Sequence, residues 1–201
     1  MSYNSNIHHR RSIRLKGYDY SQAGLYFITV CVYDRKCLFG KIENDEMILN
    51  EFGTIAYQQW ETLHTRFINM ELDVFQIMPN HMHGIIALTE FVGATLAVAP
   101  DADGAVADQN SVADQIGAGA SPAPITTIMK PKTIGDIVGA YKSLVANECL
   151  NIYKIKNETM GKLWQRNYHE HIIRDGQSYQ RISDYIISNP KKWNTDKFYG
   201  K

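Results

Sequence analysis

The sequence has few cysteines, no long apolar run and no surplus of charge of either sign. The three cysteines, Cys31, Cys37 and Cys149, include no CxxC pair, which argues against a disulfide framework or a thiolate zinc site. No apolar stretch comes near the roughly 20 residues of a membrane-spanning helix, and the polar N-terminal stretch has no apolar core like that of a secretory signal. We therefore expect a cytoplasmic protein without a membrane partner.

Charge is balanced in total but uneven along the chain. The sequence has 21 basic and 21 acidic residues, which at face value argues against a nucleic-acid partner. Segment 91–124, however, contains four aspartates and no Lys or Arg, so the rest of the chain carries 21 basic against 17 (21 less those four) acidic residues. The excess lies towards both ends and includes Arg10, Arg11 and Arg14. Such basic flanks permit binding to phosphates.

Segment 91–124 also differs from the rest in composition. It is rich in Ala and Gly and contains the tetrapeptide VADQ twice, at 106–109 and 112–115. A chain of 201 residues that is 44% hydrophobic can form one domain with a sizeable core. We therefore predict a single domain, 1–201, with a disordered insertion at 91–124. A short Ala-rich helix around 106–116 is the competing interpretation.

Around this insertion the chain alternates strand-like and helix-like patterns. Asn50 and Thr133 are suitable N-caps for two of the helices. The order β-β-α-β-β-(insertion)-α-β-α predicts an α+β fold, most simply a ferredoxin-like sandwich with a largely antiparallel sheet and helices packed on it. The predicted strands are 25–33, 47–49, 72–78, 81–88 and 164–174, and the predicted helices are 50–67, 134–153 and 178–188.

His81-Met82-His83 is the first candidate for chemistry. It begins a strand-like run, so alternation puts both imidazoles on one face of the strand and Met82 on the other. Two converging ring nitrogens can hold one cation. A pair of polar residues at the mouth of a hairpin is the alternative explanation, and the pattern alone is weak.

Tyr185 and Asn189 are the second candidate. Four residues apart on a predicted helix, they share a face, which puts a phenol one turn from an amide oxygen that can complete a metal's ligand set. A phenol is mostly neutral at pH 7 and needs activation to act as a nucleophile. The alternative is a half-buried aromatic residue near the helix stop at Asn189-Pro190.

A competing site lies in segment 164–174. His169-Glu170-His171 is a second HxH pattern, and Tyr168 precedes it. If both of these histidines faced solvent, the charged Glu170 would point into the core, whereas Met82 can be buried at no cost. We therefore favour the first pair.

The sequence resembles the single-tyrosine HUH transposases, and most closely the branch associated with repetitive extragenic palindromes (REP). The resemblance extends from about Arg10 to Trp193, except for 91–124. Four segments carry it in order: MPNHMHGII (78–86), TIGDIVGAYKS (133–143), WQRNYHEHIIRD (164–175) and YIISNPKKW (185–193).

This resemblance implies a role for each candidate residue. His81 and His83 match the histidines of the His-hydrophobic-His motif, Tyr185 matches the nucleophile, and Asn189 matches the polar residue that completes the metal site, where insertion-sequence relatives more often have Gln. The implied cofactor is a divalent cation, Mg²⁺ or Mn²⁺. Residues expected to contact DNA phosphates are Lys142, Arg166, Arg174, Arg10, Arg11 and Arg14.

The implied reaction is cleavage and rejoining of single-stranded or hairpin DNA through a 5′-phosphotyrosine intermediate. The phosphodiester energy stays in the covalent bond, which is consistent with the lack of a GxxxxGK[ST] phosphate loop. We expect the protein to associate with the nucleoid when bound to DNA, and a homodimer is one possible state. The alternatives are an inactive relative that binds hairpin DNA without turnover and an unrelated RNA- or metal-binding module, against which the lack of an RNP-type aromatic run weighs.

Overall fold

The computed structural model describes residues 14–90 and 131–199. The predicted insertion at 91–124, the alternative helix around 106–116, and Arg10 and Arg11 lie outside the described residues. The described ranges include all four segments that carry the family resemblance, and Arg14 of the basic N-terminal stretch.

The described part contains six strands and three α-helices in the order β-β-β-α-β-β-α-β-α. Short 3-10 helices at Tyr33–Arg35, Thr62–Thr65 and Pro190–Thr195 connect or extend them. The strands are β1 (Gly24–Cys31), β2 (Gly40–Glu43), β3 (Glu46–Leu49), β4 (Met70–Met78), β5 (His81–Leu88) and β6 (His169–Ile173), and the helices are α1 (Glu51–Glu61), α2 (Ile134–Ile155) and α3 (Gly176–Ser188).

Four strands form the main sheet in the order β4-β5-β1-β6, and every neighbouring pair is antiparallel. Helices α1 and α2 cover one face through Trp60 and Tyr141, which are fully buried with Tyr26 and Ile28 of β1. Helix α3 covers the other face, where Ile186 packs against Ile85 and Ile173. The arrangement confirms the predicted α+β class with a largely antiparallel sheet.

Local sequence accounts for where the helices begin. The Asn50 side chain accepts a hydrogen bond from Gly53 N at 3.0 Å at the start of α1. Thr133 and Asp136 form a reciprocal capping box at the start of α2. Both predicted caps are therefore confirmed.

The structure corrects the predicted elements in three places. The helix predicted at 50–67 ends at Glu61 and is followed only by the 3-10 helix Thr62–Thr65. Strand β2 was not predicted; it pairs with β3 in a separate two-stranded sheet, across a turn in which Asn44 and Asp45 both have positive φ. The predicted strand 164–174 is reduced to β6, because Trp164 forms only an isolated bridge with Val32. No helix in the described ranges is long and apolar enough to cross a membrane.

Candidate active site

The first histidine pair lies on β5, between β4 and β1. His81 is opposite Cys31 and Met78, and His83 is opposite Thr29 and Gln76. Alternation along the strand puts both rings on the face covered by α3, and Met82 is buried in the opposite core. The two Nε2 atoms are 3.0 Å apart, so the rings converge on one point.

The other ring nitrogens are held by neighbouring oxygens. Asn80 Nδ2 donates to the carbonyls of Arg35 and Phe198, which directs Asn80 Oδ1 towards His81 Nδ1 at 2.8 Å. An amide oxygen only accepts, so His81 Nδ1 carries the proton and the lone pair is on Nε2. His83 Nδ1 lies 2.8 Å from Thr29 Oγ1, a hydroxyl that can donate or accept. Oxygen partners at Nδ1 with Nε2 facing inwards are typical of metal-binding histidines.

Burial keeps both imidazoles neutral. His81 and His83 are 0% and 1% exposed. Burial lowers the pKa of His81 to about 4, and burial together with the neighbouring His81 lowers the pKa of His83 well below its usual value. A neutral imidazole is the form that binds metal.

Helix α3 brings Tyr185 to this pair. Asp175 caps the helix by accepting from Ser178 N at 2.7 Å, and the apolar face of the helix packs on the sheet. Tyr185 Oη lies 3.1 Å from His83 Nε2, and its ring meets Phe27 edge-on at 6.3 Å. The phenol of a residue 102 positions along the chain therefore contacts the histidine pair directly.

Asn189 follows as the C-terminal cap of α3 and is 1% exposed. Its Nδ2 donates to Asp196 Oδ2 at 3.2 Å. Its Oδ1 is buried and has no hydrogen-bond partner in the part of the chain that the structure describes. A buried acceptor without a donor costs about 1–3 kcal/mol, and a cation would satisfy this one.

Asp196 is a site residue that the sequence analysis missed. Its Oδ2 accepts hydrogen bonds from Tyr185 Oη at 3.3 Å and from Asn189 Nδ2 at 3.2 Å, and its Oδ1 accepts from Phe198 N at 2.6 Å. Burial, with this carboxylate nearby, raises the pKa of Tyr185 to about 12. The phenol is therefore protonated at neutral pH and donates to Asp196.

Two aromatic residues beyond α3 close over the histidines. The Phe198 ring centroid is 4.4 Å from that of His81 and 6.0 Å from that of His83. Trp193 lies 6.0 Å from His81 and packs with Cys31 and Met78. The segment after α3 therefore folds back over the histidine pair. Its sequence signal is weak: Trp193 and Phe198 are apolar residues in a polar C-terminal stretch.

The competing residues lie elsewhere. His169 and His171 are exposed, while the side chain of Glu170 is 2% exposed and points to the opposite face of the sheet. Tyr168 Oη accepts from Arg14 Nη2 at 2.8 Å. Tyr179, a third tyrosine that could act as the nucleophile, lies on α3, and a hydrogen bond to the Asp73 carboxylate is the main cause that raises its pKa. Neither tyrosine contacts the His81–His83 pair.

The donor set, two imidazole nitrogens and one amide oxygen, fits a divalent cation bound by few protein ligands. No group of three or more His, Cys, Asp and Glu side chains in 14–90 and 131–199 could hold a metal. A third ligand would therefore have to be of another type, and the unpaired amide oxygen of Asn189 is available. Metal binding by His81, His83 and Asn189 stays a prediction that this arrangement fits.

The described residues predicted to contact DNA differ in exposure and in their partners. Arg166 and Arg174 are exposed, and each lines a separate surface cavity. Arg14 lies 3.6 Å from the Glu170 carboxylate. Lys142 Nζ is half-buried and donates to the carbonyls of Gln165 and Arg166 at 2.7 and 3.1 Å, which gives it a structural role without DNA. The predicted phosphate contacts stay predictions.

Comparison with known proteins identifies both a relative and a shared fold. No family model matches the sequence. The fold resembles that of a REP-associated tyrosine transposase solved bound to a REP hairpin, with a TM-score of 0.52 and 17% identity over 90% of this chain and 74% of that one. An uncharacterized protein of Haemophilus influenzae is 41% identical over 98% of this chain and 97% of its own length. The chain belongs to the same protein family as this Haemophilus influenzae protein.

Proposed function

We propose that this protein is a single-tyrosine HUH transposase that cleaves and rejoins single-stranded or hairpin DNA. The observation that carries the proposal is the contact of the Tyr185 hydroxyl with a buried, converging histidine pair, beside the unpaired oxygen of Asn189. The fold shared with a REP-associated tyrosine transposase supports it.

Tyr185 is the proposed nucleophile. Its Oη attacks the scissile phosphorus in line, the new Tyr–O–P bond forms, and the bond from phosphorus to the 3′ oxygen breaks. The products are a 5′-phosphotyrosine and a DNA 3′ end, which takes up a proton to become a hydroxyl. Attack by a 3′-hydroxyl on the phosphotyrosine reverses these changes and rejoins DNA without ATP.

Other residues of the chain prepare Tyr185 for this attack. Asp196 accepts the phenol's hydrogen bond and is the nearest carboxylate that could take its proton. Phe27 and His83 hold the ring on two sides, which fixes the direction of the oxygen. His81, His83 and Asn189 would hold Mg²⁺ or Mn²⁺. When bound, that cation would draw charge from a non-bridging oxygen of the scissile phosphate.

The test is formation of a covalent protein–DNA adduct. Labelled single-stranded hairpins from the DNA flanking the gene are incubated with the protein and Mg²⁺ or Mn²⁺, then run in SDS. We expect an SDS-stable adduct with wild type and none with Tyr185→Phe, which keeps the ring and its packing. Tyr168→Phe and Tyr179→Phe are matched controls that should still form it. Hairpin binding without any adduct would favour the alternative of an inactive binder.

A further inference from the structure

A cavity of about 230 Å³ lies beside the histidine pair, where β1 extends past the start of β6. Thr29 and Cys31 of β1 line it, and they are the cross-strand partners of His83 and His81. Thr29 Oγ1 is 2.8 Å from His83 Nδ1. Neighbouring strands lie about 4.8 Å apart, so the cavity is one strand spacing from the proposed reaction centre.

The other lining residues make this cavity polar and cationic. They come from the segment that leads into β6: Gln165, Arg166, Asn167, Tyr168 and His169. No carboxylate is among the residues that line it within 14–90 and 131–199. A guanidinium beside amide and imidazole groups that can donate hydrogen bonds suits a phosphate.

Lys142 fixes the segment that carries Arg166. Its Nζ donates to the carbonyls of Gln165 at 2.7 Å and Arg166 at 3.1 Å. In return, Trp164 Nε1 donates to the carbonyl of Lys142 at 3.0 Å. The segment is also joined to β1, since Gln165 N donates to the Cys31 carbonyl at 2.9 Å. Helix α2 and strand β1 therefore both hold the backbone from which the Arg166 side chain extends.

The two cations differ in what they have left to offer a ligand. An ammonium has three donors, and the half-buried Lys142 uses two of them on backbone carbonyls. The Arg166 side chain is exposed and makes no hydrogen bond or salt bridge to another described residue. Its guanidinium has five donors in a planar fork that matches phosphate oxygens. Arg166 is therefore placed to bind a phosphate, and Lys142 is placed to hold Arg166.

We propose that this cavity binds the phosphate next to the scissile one, with Arg166 as its ligand, and that Lys142 is a positioning residue that holds Arg166 at the cavity. This inference rests on the proposed function, because it needs a DNA strand that passes the histidine pair. A phosphate bound one strand spacing from His83 would fix the scissile phosphate relative to Tyr185. The contact is to the DNA backbone, so it carries no sequence preference of its own.

The experiment measures how hairpin affinity depends on single phosphates. The protein carries Tyr185→Phe to prevent reaction, and the probe is a hairpin from the DNA flanking the gene in which each phosphate in turn is replaced by a neutral methylphosphonate. The cleavage position is taken from the adduct that wild type forms. We expect the replacement next to the cleavage position to weaken binding about tenfold, as loss of a hydrogen bond between charged groups does.

Arg166→Ala identifies the residue that binds this phosphate. The variant should bind the unmodified hairpin about tenfold more weakly and lose nothing further when the neighbouring phosphate is neutralised. Arg66→Ala is the matched control. It removes the same charge from an exposed residue that precedes β4, at the end of that strand away from the histidines, and should keep the full effect of the methylphosphonate.

A double-mutant cycle separates positioning by Lys142 from direct contact. Lys142→Met keeps the apolar stem, removes the ammonium and should weaken binding only through Arg166. Combined with Arg166→Ala, it should therefore bind no more weakly than Arg166→Ala alone. Lys142→Gln, a neutral side chain that can still donate, should recover part of the loss. Lys154→Met changes an exposed lysine of the same helix and should bind like the parent protein.

Three outcomes would overturn the inference. The first is that no phosphate next to the cleavage position depends on Arg166. The second is a further loss of about tenfold in the double variant, which would make Lys142 a phosphate contact of its own. The third is an equal loss in Lys142→Gln and Lys142→Met, which would mean that charge and not hydrogen bonding is what Lys142 supplies.

Two further results are distinguishable from these. If Lys142→Met does not fold, Lys142→Gln takes its place in the cycle, and a further loss in its combination with Arg166→Ala would again overturn the inference. Failure of wild type to form an adduct or to bind the hairpin at all would instead contradict the proposed function.

Discussion

Replacing His83 with alanine, and in parallel His171, separates a histidine of the proposed site from one that only resembles it in sequence. Both belong to an HxH pattern and both flank β1, His83 opposite Thr29 and His171 opposite Phe27. His83 is 1% exposed and packs between the rings of Phe27 and Tyr185, at 5.4 and 5.1 Å. His171 is exposed.

The structure sets the expected cost of each change. Removing the buried His83 ring should destabilise the fold by about 2–4 kcal/mol, as other large-to-small core substitutions do. The Thr29 hydroxyl also loses its hydrogen-bond partner, which should cost about 1 kcal/mol more. His171→Ala should stay within about 0.5 kcal/mol of wild type. Domains are typically stable by about 5–15 kcal/mol, so we expect His83→Ala to fold with a reduced margin.

The assay is urea unfolding with and without Mn²⁺. A ligand that binds only the native state stabilises it by about 2.7 kcal/mol when its concentration is 100 times its Kd. Wild type and His171→Ala should both show such a gain, and His83→Ala should lose most of it. The double variants should show the same difference. His81→Ala with His83→Ala should lose the stabilisation by Mn²⁺, and His169→Ala with His171→Ala should keep it. If the gain survives in His83→Ala and disappears in His171→Ala, the assignment of the metal to His81 and His83 is wrong.

Three further predictions concern other parts of the chain. Replacing 91–124 with a short Gly/Ser loop should leave adduct formation intact and change stability by about 1 kcal/mol or less, because loop-closure entropy varies slowly with length; a variant that folds and cannot cleave would contradict this. Asp196→Asn should slow adduct formation about 10- to 100-fold and leave hairpin affinity unchanged. The reason is that Tyr185 and Asn189 lose the carboxylate that accepts their hydrogen bonds, and losses of this kind have effects of that size at metal sites. A single-turnover rate equal to that of wild type would show that Asp196 has no part in the mechanism. Gly84→Ala should cost about 1–3 kcal/mol in urea unfolding, because the new Cβ would lie 2.6 Å from Trp60 Cζ2; unchanged stability would mean that Trp60 moves aside.

Regular periodicity explains which features could be predicted from the sequence. Alternation on β5 puts His81 and His83 on one face, and the helical repeat puts Tyr185 and Asn189 on another, whatever the rest of the chain does. The caps Asn50 and Thr133 are local signals of the same kind. These rules do not say which faces meet, and it is the pairing of β5 with β1 and the packing of α3 on the sheet that bring Tyr185 to His83.

The missed residues depend on chain segments without a regular repeat. Asp196 reaches Tyr185 because the 3-10 helix Pro190–Thr195 turns the chain back after α3, and Asn189-Pro190 predicts only where the helix stops. Strand β2 has four residues, of which none is fully buried, so its hydrophobic alternation is weak. Glu170 was expected to face the core if its flanking histidines faced solvent, and it does.

The central claim is that Tyr185 joins covalently to DNA at a site built by His81, His83 and Asn189. The most direct measurement is to digest the SDS-stable adduct and locate the linked nucleotide by mass spectrometry. We predict that it lies on the peptide containing Tyr185, attached through a 5′-phosphate, and that the adduct requires Mg²⁺ or Mn²⁺. A nucleotide attached to Tyr168 or Tyr179, or an adduct that forms equally well in Tyr185→Phe, would contradict the account.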